Sequence, residues 1–304
     1  MISICIPIYN FDVSNLVEKL NNLSKSLEVP SEIILIDDCS DVFFKEKNEN
    51  VCKKHNYIKL EKNIGRAAIR NRFLKYANYD NLLFLDCDSI VYDDDFLVKY
   101  IEVIKKEPNK VLCGGRVYEN QSPKRNKRLR WKYGKIRESK PFYKRNLNPN
   151  KSFMTHNFVV NRKIFETINF DERLTDYGHE DTLFGFQLKK RNIQVRHIEN
   201  PILNGDLEDN GVYISSTETA IGNLVEILGF LNCDKDFIKD VSLLNVYFKV
   251  VKFKALIGVG FKIFKPLLKK MLSLGFVNLY LFDFYKLGIL IFKIKDRDIK
   301  CSYN

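Results

Sequence analysis

Three acidic groups stand beside apolar runs, and they are the part of this sequence best placed to do chemistry. The run EIILID closes on Asp37-Asp38-Cys39-Ser40, and LLFLDC closes on Asp86-Cys87-Asp88. Farther on, Gly178-His179-Glu180-Asp181 opens a segment with helical spacing. Short, fully apolar, β-branched runs read as strands of a parallel sheet buried on both faces. In an open sheet of that kind, ligands bind beyond the carboxyl ends of the strands. Two strand ends then aim carboxylates at one crevice, where they repel each other unless a cation or hydrogen-bond donors compensate. A hard divalent ion with oxygen ligands, Mg²⁺ or Mn²⁺, meets that need and commonly bridges carboxylates to substrate phosphates. Strand-end Asp residues that cap the next helix satisfy the same pattern, and Glu180-Asp181 taken alone reads as such a cap.

The elements that must hold these acids alternate along the first 115 residues. Apolar runs at 2–8, 32–37, 82–87 and 111–113 read as strands, the last closed by Gly114-Gly115. Between the first two, Leu16, Leu20, Leu23 and Leu27 recur as on one helix face, and 66–77 and 95–107 read as further helices. Strand–helix alternation predicts an α/β sheet with right-handed crossovers. Residues 116–150 read as a long loop or mobile segment, 153–160 as a strand and 180–191 as a helix. Ile257, Phe261, Phe264, Leu268 and Leu272 form a later helical stripe beside Lys262, Lys265 and Lys269, with a kink expected at Pro266.

The ordered segments SICIPIYN, IILIDDCSD, NIGRAAIRN, LLFLDCDS and YGHEDTLFGFQLKKRN resemble the motifs of family 2 glycosyltransferases of the GT-A fold. The resemblance implies a mostly parallel, Rossmann-like sheet flanked by helices. It implies a transferase domain over 1–230, divided into a nucleotide-sugar-binding half (1–115) and an acceptor-binding half (116–230), to which the composition and helical spacing of the tail add a C-terminal, basic amphipathic helical extension (231–304). It also implies roles for individual residues. Pro7 and Tyr9 would line the base pocket, and Asp38 would accept from the uracil N–H. Asn63, Gly65, Arg66 and Arg70 would lie near the nucleotide, Asp86 near the ribose, and Asp88 on a metal holding the diphosphate. Asp181 would be the catalytic base and Glu180 would hold the acceptor sugar. Inverting transfer is one in-line displacement, needing a base on the acceptor hydroxyl and charge stabilisation of the departing diphosphate. A helix N-terminus suits the acid that serves as base.

One departure concerns the metal. Where relatives often carry a His ligand after an NP turn, this sequence has Asn204, whose carbonyl oxygen is a weaker ligand, with His197 as a possible substitute. Two other readings stay open: a nucleotidyltransferase, although PIYNFD lacks a Gly-rich phosphate loop, and a transferase-like scaffold without turnover.

Composition narrows the partners. With 45% hydrophobic residues and only 14 Gly and 8 Pro in 304, the chain is neither collagen-like nor disordered. Its net charge of +12 is concentrated. Residues 124–145 hold eleven Lys/Arg against one Glu, and 239–304 hold thirteen against four Asp, leaving a mildly acidic body. Two basic patches on an acidic body point to two anionic partners and not to nucleic acid. The first patch, with Trp131, Tyr133, Phe142 and Tyr143, would cover the donor or meet a lipid-linked saccharide acceptor. The second would lie on an anionic membrane surface. Seven scattered cysteines without a CxxC pair argue against a disulfide scaffold and for a reducing compartment. The N-terminus lacks the basic flank and apolar length of a secretory signal, so the expected location is cytoplasmic, peripheral on the inner face of the plasma membrane.

Overall fold

A computed structural model describes residues 1–299 and residue 301. Among the described residues, ten strands alternate with helices. They are β1 (Ile2–Ile8), β2 (Ser31–Asp37), β3 (Asn56–Lys59), β4 (Asn81–Leu85), β5 (Ser89–Ile90), β6 (Val111–Cys113), β7 (Arg116–Val117), β8 (Asn157–Asn161), β9 (Val195–His197) and β10 (Ile202–Asn204). The α-helices are α1 (Ser14–Lys25), α2 (Val42–Cys52), α3 (Gly65–Arg72), α4 (Phe96–Lys106), α5 (Arg128–Tyr133), α6 (Phe142–Arg145), α7 (Arg162–Thr167), α8 (Glu180–Lys190), α9 (Asn210–Phe230), α10 (Lys235–Asp240), α11 (Ser242–Lys249), α12 (Lys254–Ser273) and α13 (Leu279–Asp296). The chain forms two compact units. The first comprises Met1–Glu119, Ser139–Thr175 and Leu183–Asp206; the second comprises Asn120–Glu138, Asp176–Thr182 and Leu207–Asn304. This division is discontinuous and differs from a boundary at residue 230.

The first unit is built on a seven-stranded sheet in the order β3-β2-β1-β4-β8-β6-β9. Neighbours are parallel except where β8 runs antiparallel to β4 and β6. Alternate residues feed opposite faces. Ile4, Ile6, Ile33, Leu35, Leu83 and Leu85 join α1 and α4 on one side, while Cys5, Ile34, Ile36, Leu82 and Phe84 join Phe73, Phe165 and Phe184 on the other. Burial on both faces is why these strands read as unbroken apolar runs. The chain leaves β1 toward β2 and β3, then crosses back to β4 on β1's other side. The β1/β4 junction is therefore the switch point where open sheets of this kind leave a crevice. A second sheet, β5-β10-β7, is short but positions key side chains.

The second unit is helical. Phe261 of α12 packs so closely on Gly288 of α13 that a Cβ there would lie 2.2 Å from the ring, and Phe261 also meets Tyr285 at 5.5 Å between centroids. Glu218 of α9 accepts from the Tyr285 hydroxyl and pairs with Lys269. Several expectations change in these regions. Within 116–150, a continuous loop is replaced by short helical turns. There Arg130 is buried in a bidentate pair with Glu138, and Arg145 is buried in the first unit, donating to the Cys113, Gly114 and Ile198 carbonyls. Arg130 and Arg145, two cations of this basic segment, are thus structural clamps. Cys233 and Cys301, 68 residues apart with Cα atoms 5.6 Å apart, form a disulfide that sequence spacing gave no means of pairing. Pro266 lies inside α12 without ending it. Of the α12 stripe, Phe261, Leu268 and Leu272 are buried while Phe264 is exposed, so most of it packs inward. No helix among the described residues is long and apolar enough to cross a membrane.

Candidate active site

The first acidic strand end is locked to the turn after β1. The Asp38 amide donates to Ile8 O (2.8 Å), the Asn10 amide to Ser40 Oγ (2.9 Å), and the Asp41 amide to Asn10 Oδ1 (2.7 Å). Pro7 is half-buried in β1 and Tyr9 is exposed just beyond it. Asp37 is buried and structural: its carboxylate accepts from the Ser40 amide and the Tyr57 hydroxyl. Asp38 instead reaches the start of α3, where it accepts from the Ile64 (2.7 Å) and Gly65 (3.1 Å) amides. Burial, opposed by those amides and aided by neighbouring Asp37, raises the Asp38 pKa above the ordinary value. Gly65 has φ +85°, and a Cβ there would lie 3.1 Å from Thr175 O, so the amide needs glycine to reach the carboxylate. Exposed Asn63 accepts from the same Gly65 amide at 3.1 Å. Arg66 is exposed on the first turn of α3.

Farther along α3, Arg70 is buried. Its guanidinium donates to Asp86 Oδ1 at 2.9 Å and to Arg66 O at 3.1 Å, so it holds an acid of the β4 end. A second cation, Arg116, lies 3.3 Å from Asp86 Oδ2 and 3.6 Å from Asp88 Oδ1. Burial disfavours the Asp86 carboxylate, but Arg70 and Arg116 outweigh it and hold its pKa down at about 2. The short sheet explains how Arg116 comes there. β10 pairs Ile202 with Arg116 on one side and Asn204 with Ser89 on the other, and the Gly205 amide donates to Asp88 O at 2.8 Å. Asp88, Arg116 and Asn204 are thereby gathered by backbone pairing. Arg116 was not anticipated; its signal was a cation directly after Gly114-Gly115 at a strand end.

The two candidate ligands beyond Asp88 differ. The Asn204 amide nitrogen donates to Asp206 O beside the Asp88 turn. His197 accepts from Arg145 at Nδ1 (2.6 Å) and donates from Nε2 to Pro149 O (2.8 Å), so both ring nitrogens are engaged and it cannot stand in as a ligand. Burial lowers its pKa to about 4 and keeps it neutral. Among the described residues, no group of three or more His, Cys, Asp or Glu side chains could by itself hold a metal. Asp88 and the side-chain carbonyl of Asn204 offer oxygen donors of the kind that Mg²⁺ and Mn²⁺ take, and an ion there would need further oxygens from outside the chain to complete its shell.

In the second unit, the GHED turn is braced from α9. Asn223 donates to the Asp176 and Gly178 carbonyls at 2.9 and 3.1 Å. Gly178 has φ +100°, and a Cβ there would sit 2.5 Å from the Ala220 Cβ. His179 (φ 65°) contacts Thr182 Oγ1 through Nδ1 at 3.1 Å, and burial lowers its pKa to about 4. Glu180 is buried and Asp181 half-buried at the first turn of α8, where Asp181 Oδ1 accepts from the Thr182 amide at 2.6 Å.

Residues 3–168 match the family described as Glycosyl transferase family 2. The chain belongs to glycosyl transferase family 2. Over 86 residues it is 38% identical to a poly-beta-1,6-N-acetyl-D-glucosamine synthase of Staphylococcus epidermidis, a stretch that is 27% of this chain and 21% of that relative. It is 35% identical over 107 residues to the uncharacterized glycosyltransferase YwdF of Bacillus subtilis, 35% of this chain and 37% of YwdF. The matched stretches thus span well under two thirds of these curated relatives. Two solved structures resemble it in fold. A mannosyltransferase from Pyrobaculum calidifontis, in complex with GDP-Man and Mn²⁺, has a TM-score of 0.60 at 13% identity, covering 99% of this chain and 88% of that one. Glucosyl-3-phosphoglycerate synthase from Mycobacterium tuberculosis, with Mn²⁺, UDP and glucosyl-3-phosphoglycerate, has a TM-score of 0.51 at 14% identity, covering 75% and 80%. At these identities the likeness establishes the GT-A fold for this family 2 member.

Proposed function

We propose that the chain is an inverting glycosyltransferase that moves a sugar from a nucleotide-sugar donor, UDP-linked, to a hydroxyl of a saccharide or lipid-linked saccharide acceptor. The observation that carries this reading is the linkage through α3. Its first amides bind Asp38 at the β2 end, and its Arg70 binds Asp86 at the β4 end, so one helix organises both acids around the β1/β4 switch point. The family match supports the reaction class, and the likeness to a polysaccharide synthase supports a role in surface polysaccharide synthesis.

In this reading, Tyr9, Pro7 and Asp38 hold the base, Asp86 meets the ribose, and Asn63 and Arg66 border the nucleotide. Asp88, beside Asn204, would hold Mg²⁺ or Mn²⁺, and such an ion would offset the negative charge of the leaving diphosphate. Asp181 takes the proton from the acceptor hydroxyl as the sugar carbon is attacked, and Glu180 orients the acceptor. Because the proton passes to one carboxylate in a single displacement, no covalent sugar–enzyme bond is needed. UDP release measured with a panel of nucleotide sugars tests this. Asp181→Asn is expected to lower turnover by about 10²–10⁴-fold while donor binding persists, the range of a general base. Undiminished turnover in that variant would refute the base assignment.

A further inference from the structure

The outward side of α12 is apolar where a helix packed on a domain is ordinarily polar. Leu256, Val259, Ile263 and Leu267, spaced three, four and four residues apart, are 74%, 61%, 67% and 55% exposed. They stand opposite the buried Phe261, Leu268 and Leu272, so the helix is apolar on both sides. Phe253, Phe264, Leu274 and Phe276 extend the exposed area at its ends and flank. Lysines ring it: Lys252, Lys254, Lys262 and Lys270 are exposed. Across residues 241–282 the sequence contains seven Lys and no Asp or Glu. A groove of 760 Å³ lined by Val259, Ile291 and Phe292, with Lys254, Lys262 and Lys295, adjoins the same helix.

From this arrangement we infer that the outward face of α12 seats the second unit on an anionic lipid bilayer, lying in the headgroup region without spanning it. Apolar side chains at the centre of a face and ammonium groups around it match the layering of acyl chains beneath phosphate headgroups. A second copy of the same face is disfavoured, because pairing two acid-free lysine rings sets like charges against each other. This surface differs from the stripe that sequence periodicity alone suggested, and it does not depend on the transferase reading, since lipid binding requires no donor.

The test is co-sedimentation of the full chain with phosphatidylcholine vesicles, with and without phosphatidylglycerol. Wild type should pellet with the anionic vesicles and be released by salt. Lys252→Gln/Lys262→Gln/Lys270→Gln should weaken that partitioning about a hundredfold, each surface-near lysine being worth somewhat under a factor of ten. Ile263→Asp/Leu267→Asp should abolish it, with an unchanged thermal midpoint showing that the fold is kept. A chain that stays in the supernatant with phosphatidylglycerol overturns the proposal. So does equal pelleting of wild type and both variants, or a concentration-dependent dimer that Ile263→Asp dissolves without any vesicle binding.

Discussion

Replacing Arg70 with methionine isolates the interaction on which the β4 end depends. The Arg70 side chain is 3% exposed and lies 2.9 Å from an Asp86 carboxylate that is itself 21% exposed. Methionine fills much of the same volume and leaves the carboxylate with Arg116 at 3.3 Å, and with the fields of Arg66 and His156, as its remaining charge partners. Breaking a buried ion pair by removing one partner destabilises by about 3–5 kcal/mol; the surviving Arg116 and the partial exposure of Asp86 reduce the expectation to about 2–3 kcal/mol. For a body of this size that lowers the thermal midpoint by roughly 5–10 °C. The sign with pH follows from linkage. Asp86 is held at about 2 in the fold against an ordinary 3.8, so its contribution is complete above about 3.8 and is lost as pH falls through about 2. The gap between wild type and Arg70→Met should therefore be constant near neutrality and shrink as pH drops below 4. Asp86→Asn in the Arg70→Met background removes the stranded charge and should recover most of the lost stability. Urea unfolding followed by near-UV circular dichroism measures all three proteins. An Arg70→Met midpoint equal to wild type, or a double variant no better than the single, would show that the pair does not organise this strand end.

Other consequences can be checked alongside. Gly65→Ala should destabilise by about 1–3 kcal/mol through its positive φ and the Thr175 carbonyl, and should weaken nucleotide binding by moving the amide off Asp38. Gly211→Ala, in open space on α9, should leave both unchanged or raise stability slightly. His197 and His179 are both held near 4 by burial against an ordinary 6.5, so their contribution is complete above 6.5 and declines as pH falls through 4. A thermal midpoint that is flat from pH 6.5 to 4 would contradict their burial as neutral rings. Reducing Cys233–Cys301 should lower the midpoint by releasing a 68-residue loop, worth up to about 4 kcal/mol in the chain-entropy picture; a midpoint indifferent to reductant would argue against the bond.

The sheet was readable where its strands are buried on both faces. β1, β2, β4 and β6 are apolar runs because side chains leave in both directions into packed helices. β3, with Asn56 and Lys59 exposed at the sheet edge, carries no such run and was missed. β8 begins at Asn157, later than expected, because Asn157 is a buried polar residue whose amide donates to the Gly115 and Asn200 carbonyls, a network that leaves no periodic trace. The acids at the strand ends were legible from their placement after apolar runs. Their partners were not: Arg116 reaches Asp88 only through pairing of β7 and β10, more than eighty residues apart in sequence. Helical periodicity in α12 located an apolar stripe but could not say which side packs, since Leu256, Val259, Ile263 and Leu267 satisfy the period as well as Phe261, Leu268 and Leu272 do. That choice is made by Gly288, whose missing side chain admits Phe261.

In the proposed function, Asp38, Asp86 and Asp88 serve one nucleotide-diphosphate site at the β1/β4 switch point. Thermal unfolding of the wild-type chain with UDP, GDP and Mn²⁺, singly and together, tests it most directly, because a ligand bound to the fold stabilises by mass action. UDP with Mn²⁺ is expected to raise the midpoint, Asp88→Asn to remove the Mn²⁺-dependent part, and Asp38→Asn to weaken the response to UDP itself. No shift with any nucleotide diphosphate, or shifts equal in wild type and both variants, would contradict it.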